Sequence, residues 1–363
     1  MRVLFLQRQP CIRALKYAVG LRVARPEIAL GFAYQGRTLD EWYGSGDDLF
    51  EAWWRLDAGD PADGLAAAIA EFRPDLIHSH NLPDALTVLA LEVTEGRIPV
   101  IHDSHDLQSL RRTPYEDGFD DPEDPEALEK EAVEGCAALV AVSREMLDEI
   151  AARHRLPERT LLFANYALAR DVTPFPQAGR RGEGPLRLVY QGSLSANGSH
   201  YDLREGLAAV AAAGLEIDVF PNRDAPEYRD LAATTPGLRL MDRLEPAALL
   251  RRLPAYDAGW AVFNPRLNAA HLDTALPNKA FEYLASGVPI AAGPHAALRR
   301  LVEEDGVGVV VERLDDLPGV IVDAPLADLR RRALEDRARF TVEGHIGELV
   351  ALYQEVAAPA VAA

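Results

Sequence analysis

The run richest in chemistry is Leu276-Pro277-Asn278-Lys279-Ala280-Phe281-Glu282-Tyr283-Leu284-Ala285-Ser286-Gly287-Val288-Pro289-Ile290. Its pattern predicts a loop, a short helix, a stop at Gly287 and a buried strand, with Pro289 preventing the helix from continuing. Lys279 and Glu282 are three apart and Tyr283 is four from Lys279, so these polar groups share one helix face; Phe281, Leu284 and Ala285 fill another. A helix start offers free N–H groups and a positive dipole end to a phosphate, and Lys279 adds a full charge there. Glu282 can accept two hydrogen bonds from vicinal hydroxyls such as those of a ribose. For the two residues alone, an ordinary surface Lys–Glu pair is the plainer alternative.

A second candidate phosphate contact is the turn Gly192-Ser193-Leu194-Ser195-Ala196-Asn197-Gly198-Ser199-His200-Tyr201. It contains no arginine, so its offer is backbone N–H groups, at Gly192, Gly198 and Ser199, beside the polar Ser193 and Asn197. Arg243 is a further cation for the same task. The plainer alternative is an ordinary strand–helix turn. Five of the nine histidines are His78, His80, His102, His105 and His200. A His-x-His alternation on a strand puts both rings on one face, where they can bind a metal. Hydrogen-bonded structural histidines are the commoner outcome, and no metal is expected. Cys11 and Cys136 lack a metal-ligand spacing and read as reduced thiols.

These groups need a scaffold, and the chain supplies short β-branched runs alternating with helical stretches. Strands are expected at Val3–Leu6, Ile28–Ala33, Leu76–His78, Val100–His102, Leu139–Val142 and Leu161–Phe163. Helices are expected at Leu65–Phe72, Pro83–Val93 and Arg144–Ala152. The pattern restarts with strands at Leu186–Tyr190, Ile217–Phe220, Leu238–Met241, Ala258–Phe263, Ile290–Ala292 and Val307–Val311. Such alternation indicates parallel sheets covered on both faces. The expected fold class is α/β, two Rossmann-like doubly wound domains facing across a cleft. Their expected bounds are 1–166, a Pro/Gly linker at 167–184, and 185–340. A last helix and tail at 341–363, with a break at Gly344, would pack on either domain. By the doubly wound rule, His80, Asn81 and Asp103, at carboxyl ends of adjacent strands, face the cleft.

The 363 residues are too many for one ordinary core and fit two domains. At 48% apolar and 26% charged residues the chain can bury a core and stay soluble. Its net charge of −19 makes it a poor partner for nucleic acid or an anionic membrane surface. About half of that charge sits between Glu116 and Glu134, ten carboxylates against the single base Lys130. That stretch reads as a solvated loop and helix face; alternatively it receives a cationic or amino-bearing acceptor. No apolar run is long enough for a membrane span, and no signal segment is evident, so a cytoplasmic protein is the default.

The signature run, with nearly the full chain around it, resembles retaining glycosyltransferases of the GT-B fold, family 4, in the members carrying a Pro-Asn-Lys…Phe-Glu-Tyr form. Asp75–Pro83, Val100–Leu107, Ala138–Ser143, Val189–Leu194 and Asp257–Trp260 are similar to the family's other strand and turn segments. The resemblance implies transfer of a sugar, with retention, from a nucleoside diphosphate donor, UDP by family precedent, to a soluble acceptor. The donor is a substrate, and no cofactor or metal is implied. Leu276, Pro277, Asn278, Lys279 and Glu282 then belong to the donor site, with Glu282 on the ribose. The first glutamate of the family's pair falls at Thr274, beside Asp273. His105 corresponds to a histidine that reaches the donor sugar and, with Lys279, is the catalytic expectation. Arg8 and Gln9 stand where relatives meet acceptor or phosphate. Two alternatives remain, a nucleotide-sugar epimerase and a non-catalytic binding relative; a pyridoxal-dependent phosphorylase is disfavoured by the scarcity of lysines.

Overall fold

The structure, a computed structural model, describes residues 1–56, 59–114, 119–174 and 184–358. Glu116 and Asp117 of the acidic stretch, 175–183 of the expected linker and 359–363 of the tail lie outside the described residues.

Every expected strand forms. The first sheet contains β1 (Arg2–Gln7), β2 (Ala29–Tyr34), β3 (Ala52–Arg55), β4 (Leu76–His80), β5 (Val100–Ser104), β6 (Ala138–Ala141) and β7 (Thr160–Leu162). The second contains β8 (Arg187–Gly192), β9 (Glu216–Pro221), β10 (Leu238–Leu240), β11 (Ala258–Ala261), β12 (Ile290–Ala292) and β13 (Gly308–Val310). The orders are β3-β2-β1-β4-β5-β6-β7 and β10-β9-β8-β11-β12-β13, and all described pairings are parallel. Each order reverses direction once, between β1 and β4 and between β8 and β11, which makes both sheets doubly wound. The strand interiors are buried on both faces because helices cover both, and they are mainly apolar except in β4 and β5, which carry His78, Ser79, His80, His102 and Asp103.

Contacts divide the chain into two units. Unit 1 runs from Met1 to Ala164 and regains the chain at Val342; unit 2 is Asn165–Thr341. The final helix, Val342–Ala357, packs in unit 1 against the Ile12–Ala24 helix. It runs unbroken through Gly344, against expectation. Its buried Ile346, Leu349, Val350 and Tyr353 outweigh a helical glycine's penalty of about 1 kcal/mol. The 167–184 stretch, expected to be a linker, begins with ordered structure: Ala167 bridges to Thr341 and Ala169–Asp171 makes a 3-10 turn, both within unit 2.

Candidate functional site

In unit 2 the signature folds as the Asn278–Ala285 helix, started by Pro277 and ended before Gly287 at φ 72°. Asn278 is its first residue, and the buried Leu276 is fixed by Asn165, whose Nδ2 donates to the Leu276 carbonyl at 2.8 Å. The helix presses Lys279, Glu282 and Tyr283 onto the carboxyl end of β8. The Tyr283 hydroxyl accepts from the Gln191 N–H at 3.1 Å, and Gln191 Nε2 donates to Glu282. Lys279 is 7% exposed and its Nζ donates to the Tyr190 hydroxyl at 3.0 Å. Three rings surround the amine, with centroids at 4.1 Å (Tyr190), 4.8 Å (Phe263) and 5.9 Å (Tyr201). Burial disfavours its charged form, against a weaker opposing pull from Glu282, and lowers its pKa from 10.5 to about 7.

Two glycines make room for this arrangement. Gly192 ends β8 at φ 125°, and a Cβ there would stand 3.2 Å from Lys279 Nζ. A Cβ on Gly259 of β11 would meet the Tyr283 ring at 2.1 Å. A glycine inside a strand is the available signal for such a close approach. Gly259, Tyr190 and Gln191, which lie inside the Asp257–Trp260 and Val189–Leu194 segments, are thus site residues beyond those expected from the sequence.

The turn after β8 departs from expectation. The Gly198 N–H donates to Asp202 Oδ2 at 3.1 Å and the Ser199 N–H to Asn197 Oδ1 at 3.0 Å, so both are paired within the turn. Ser193 stays beside the site, its carbonyl accepting from Tyr190 and its hydroxyl from Asn222. Arg243 is exposed after β10, and β9 separates that strand from β8. Thr274 is buried and donates to the His271 carbonyl at 2.9 Å. Asp273 is 51% exposed and faces His295 Nδ1 and the Ala296 N–H, each at 3.3 Å. His295, not singled out in the sequence, is buried with Nε2 unpartnered; burial lowers its pKa.

In unit 1 the alternation of β4 turns His78 and His80 to one face, beside Asp103 of β5 in register with His80. That face lies under the Ile12–Ala24 and Val342–Ala357 helices. Asp103 is fully buried; Oδ1 accepts from Arg13 Nε at 2.9 Å and Oδ2 from the Tyr17 hydroxyl at 2.7 Å. Arg13 beside it holds its carboxyl well below the usual range, overcoming the opposing effect of burial. His78 bridges Asp103 Oδ2 and the Tyr353 hydroxyl. His80 is fully buried, stacked on His78 at 4.4 Å and 20°, with neither ring nitrogen hydrogen-bonded. Burial drives its pKa well below the usual value. His80 and Asp103 were expected to face the ligand side; the pleat and the covering helices put them in the interior instead.

His78, His80 and Asp103 offer ligand atoms within 4.8 Å of one another, a spacing a metal can use. Stacked imidazoles nonetheless aim their in-plane lone pairs along parallel planes, and Arg13 already neutralises the carboxylate. This donor set suits a buried polar network better than a cation.

Asn81 and His105 occupy the ends of β4 and β5. Asn81 Oδ1 accepts from the His105 N–H at 3.1 Å, and its Nδ2 donates to the Asp106 carbonyl at 2.5 Å, so one amide sets both loops. The His105 side chain is 14% exposed, and burial lowers its pKa and favours the neutral ring. Arg8 is buried, donating to the Asp120 carbonyl at 3.2 Å with Phe119 under its guanidinium. Glu129 of the acidic stretch is buried between Arg153, His154 and Ser109, so it is no part of a solvated face.

Residues 49–164 match the model of Glycosyltransferase Family 4. The two-sheet fold matches structures of GT-B glycosyltransferases. Sucrose-phosphate synthase from Thermosynechococcus elongatus superposes with a TM-score of 0.71 at 15% identity, over 98% of each chain. Anabaena HepE, in complex with UDP, gives 0.68 at 14% identity, over 98% of this chain and all of that one. The lipopolysaccharide outer core galactosyltransferase WaaB gives 0.67 at 12%, over 98% and 100%. No curated protein matches in sequence. The candidate donor groups lie at the β8/β11 reversal of unit 2, where doubly wound sheets bind ligands.

Proposed function

We propose that this protein is a glycosyltransferase that moves a sugar from a nucleoside diphosphate donor, UDP-linked in our reading, to a hydroxyl of a soluble acceptor with retention. The observation that carries the reading is the Lys279 amine held against Gly192 at the β8/β11 reversal, with Glu282 one turn further along the same helix. The diphosphate lies by Lys279, and Glu282, steadied by Gln191, takes the ribose hydroxyls. As the sugar C1–O bond to phosphate breaks, negative charge grows on the leaving diphosphate. A cation in a desolvated setting stabilises that charge more than water would. The acceptor oxygen bonds to C1 from the same face, and its proton passes to the leaving phosphate oxygen, so no protein nucleophile is needed. His105, a neutral ring following β5 in unit 1, is the second catalytic residue of this reading.

The test is a mass-spectrometric screen of nucleotide sugars against hydroxyl acceptors, with the product's anomeric configuration read by NMR. The reading expects a retained glycoside. An inverted product contradicts retention, and conversion of a nucleotide sugar without acceptor would assign the epimerase alternative.

A further inference from the structure

The Lys279 amine sits in an unusual setting. Its amine has one hydrogen bond, to the Tyr190 hydroxyl, where an ammonium can donate three. No carboxylate lies within ion-pairing distance of it among the described residues. Glu282, one turn on, is held by Gln191. The rest of the enclosure is aromatic: Tyr190, Phe263 and Tyr201. Ring faces attract a cation but replace only part of the lost hydration. Two donor positions of an ammonium are left for a partner to fill.

We propose that Lys279 takes up one proton from solvent when the diphosphate of a nucleotide donor binds beside it, and releases that proton when the diphosphate leaves. The step is a protonation alone: the Nζ lone pair accepts H⁺ from the buffer, and the resulting ammonium pairs with the phosphate oxygens. The inference rests on the donor-site reading and deepens it. The uncharged amine is the less costly occupant of an empty aromatic enclosure, and the dianionic diphosphate supplies the counter-charge that makes the ammonium favourable. The lowered pKa of the free amine agrees with this.

The groups facing the amine can be named element by element. The helix contributes Glu282 and Tyr283; β8 contributes Tyr190. The turn after β8 contributes Tyr201, whose ring lies 4.0 Å from that of His200 at an angle of 46°; Asp202 beside it in sequence pairs with Arg204. His271 lies 5.5 Å from His200. Phe263 follows β11 and carries no charge. Burial pushes the Tyr190 and Tyr283 hydroxyls well up, so they stay neutral throughout. Proton uptake at a histidine is the competing explanation, and Lys279→Arg and His200→Gln below separate it from uptake at Lys279.

Titration calorimetry reads the proton count directly. The glucose diphosphates of uridine, guanosine, adenosine and thymidine serve as ligands, because their diphosphate diesters do not titrate near pH 7. Each is run in two buffers of different ionisation enthalpy. The proposal expects uptake of about 0.8–0.9 proton per donor at pH 8, about 0.5 at pH 7 and about 0.1 at pH 6. Lys279→Arg, permanently protonated, removes the uptake, and His200→Gln keeps it. The chain has three lysines, Lys16, Lys130 and Lys279, so selective ¹³C-lysine NMR gives an independent midpoint. That midpoint is expected near 7 in the free protein and at least two pH units higher with donor bound. Donor binding without proton uptake, uptake that survives Lys279→Arg, or a free-protein midpoint near 10 would overturn this inference alone. Absence of binding by all four donors would overturn the donor-site reading and this inference with it.

Discussion

A single side chain sets much of the chemistry in unit 2. Burying a lysine amine against three rings disfavours its charged form, so unfolding binds a proton between about pH 7 and 10 that the native state does not. Stability therefore rises with pH across that window, and the penalty is fully present below it. Lys279→Met should stabilise the protein at pH 6 by on the order of a few kcal/mol, with the gain fading toward pH 10. Urea unfolding at the two pH values measures this; an equal gain at both would mean that charge is not the cause. Glu282→Ala removes a charge-assisted partner of the ribose and should weaken donor binding by roughly 10- to 100-fold, read by calorimetry. His105→Ala should lower turnover while leaving donor affinity within about two-fold. Asp103 works differently, as the buried partner of Arg13. Asp103→Asn strands that guanidinium and should cost about 3–5 kcal/mol of stability by chemical denaturation. The sequence placed Asp103 and His80 at strand ends facing ligand; which pleat face carries them, and which helix then covers it, is a tertiary outcome that spacing does not encode.

Among the elements, the parallel strands were legible because buried β-branched runs have few other homes. Ala52–Arg55 escaped notice, since a Trp pair next to Arg shows neither a β-branched run nor strict alternation. The final helix crosses Gly344, where packing overrides local propensity. The signature helix was legible from its Gly stop and its polar spacing. Its aromatic enclosure was not, because Tyr190, Tyr201 and Phe263 come from three separate segments. Helix and strand meet where Gly259 admits the Tyr283 ring. Gly259→Ala should cost roughly 1–3 kcal/mol by overpacking, and should also weaken donor binding, because Tyr283 and Lys279 share the displaced helix. Thermal unfolding and calorimetry on that variant test both effects; lost stability with unchanged affinity would separate the β11 contact from the site.

At the scale of the whole chain, unit 1 is completed by a helix that follows unit 2 in sequence. Tyr353 of that helix closes the His78–Asp103 network and packs with the Ile12–Ala24 helix. The charge of −19 argued against nucleic acid, and no described helix is long and apolar enough to cross a membrane. Part of the acidic stretch proves structural through Glu129. A donor bound in unit 2 should raise the stability of that unit by about 2.7 kcal/mol at a hundredfold excess over Kd. The central claim is that unit 2 holds a nucleoside diphosphate at Lys279 and Glu282. Calorimetric titration of the full chain with UDP, GDP, ADP and dTDP, repeated on folded Lys279→Ala and Glu282→Ala variants, tests it most directly. The account predicts one nucleotide per chain for at least one base, with binding lost in Lys279→Ala and weakened in Glu282→Ala. No binding of any of the four, or binding unchanged in both variants, would contradict it.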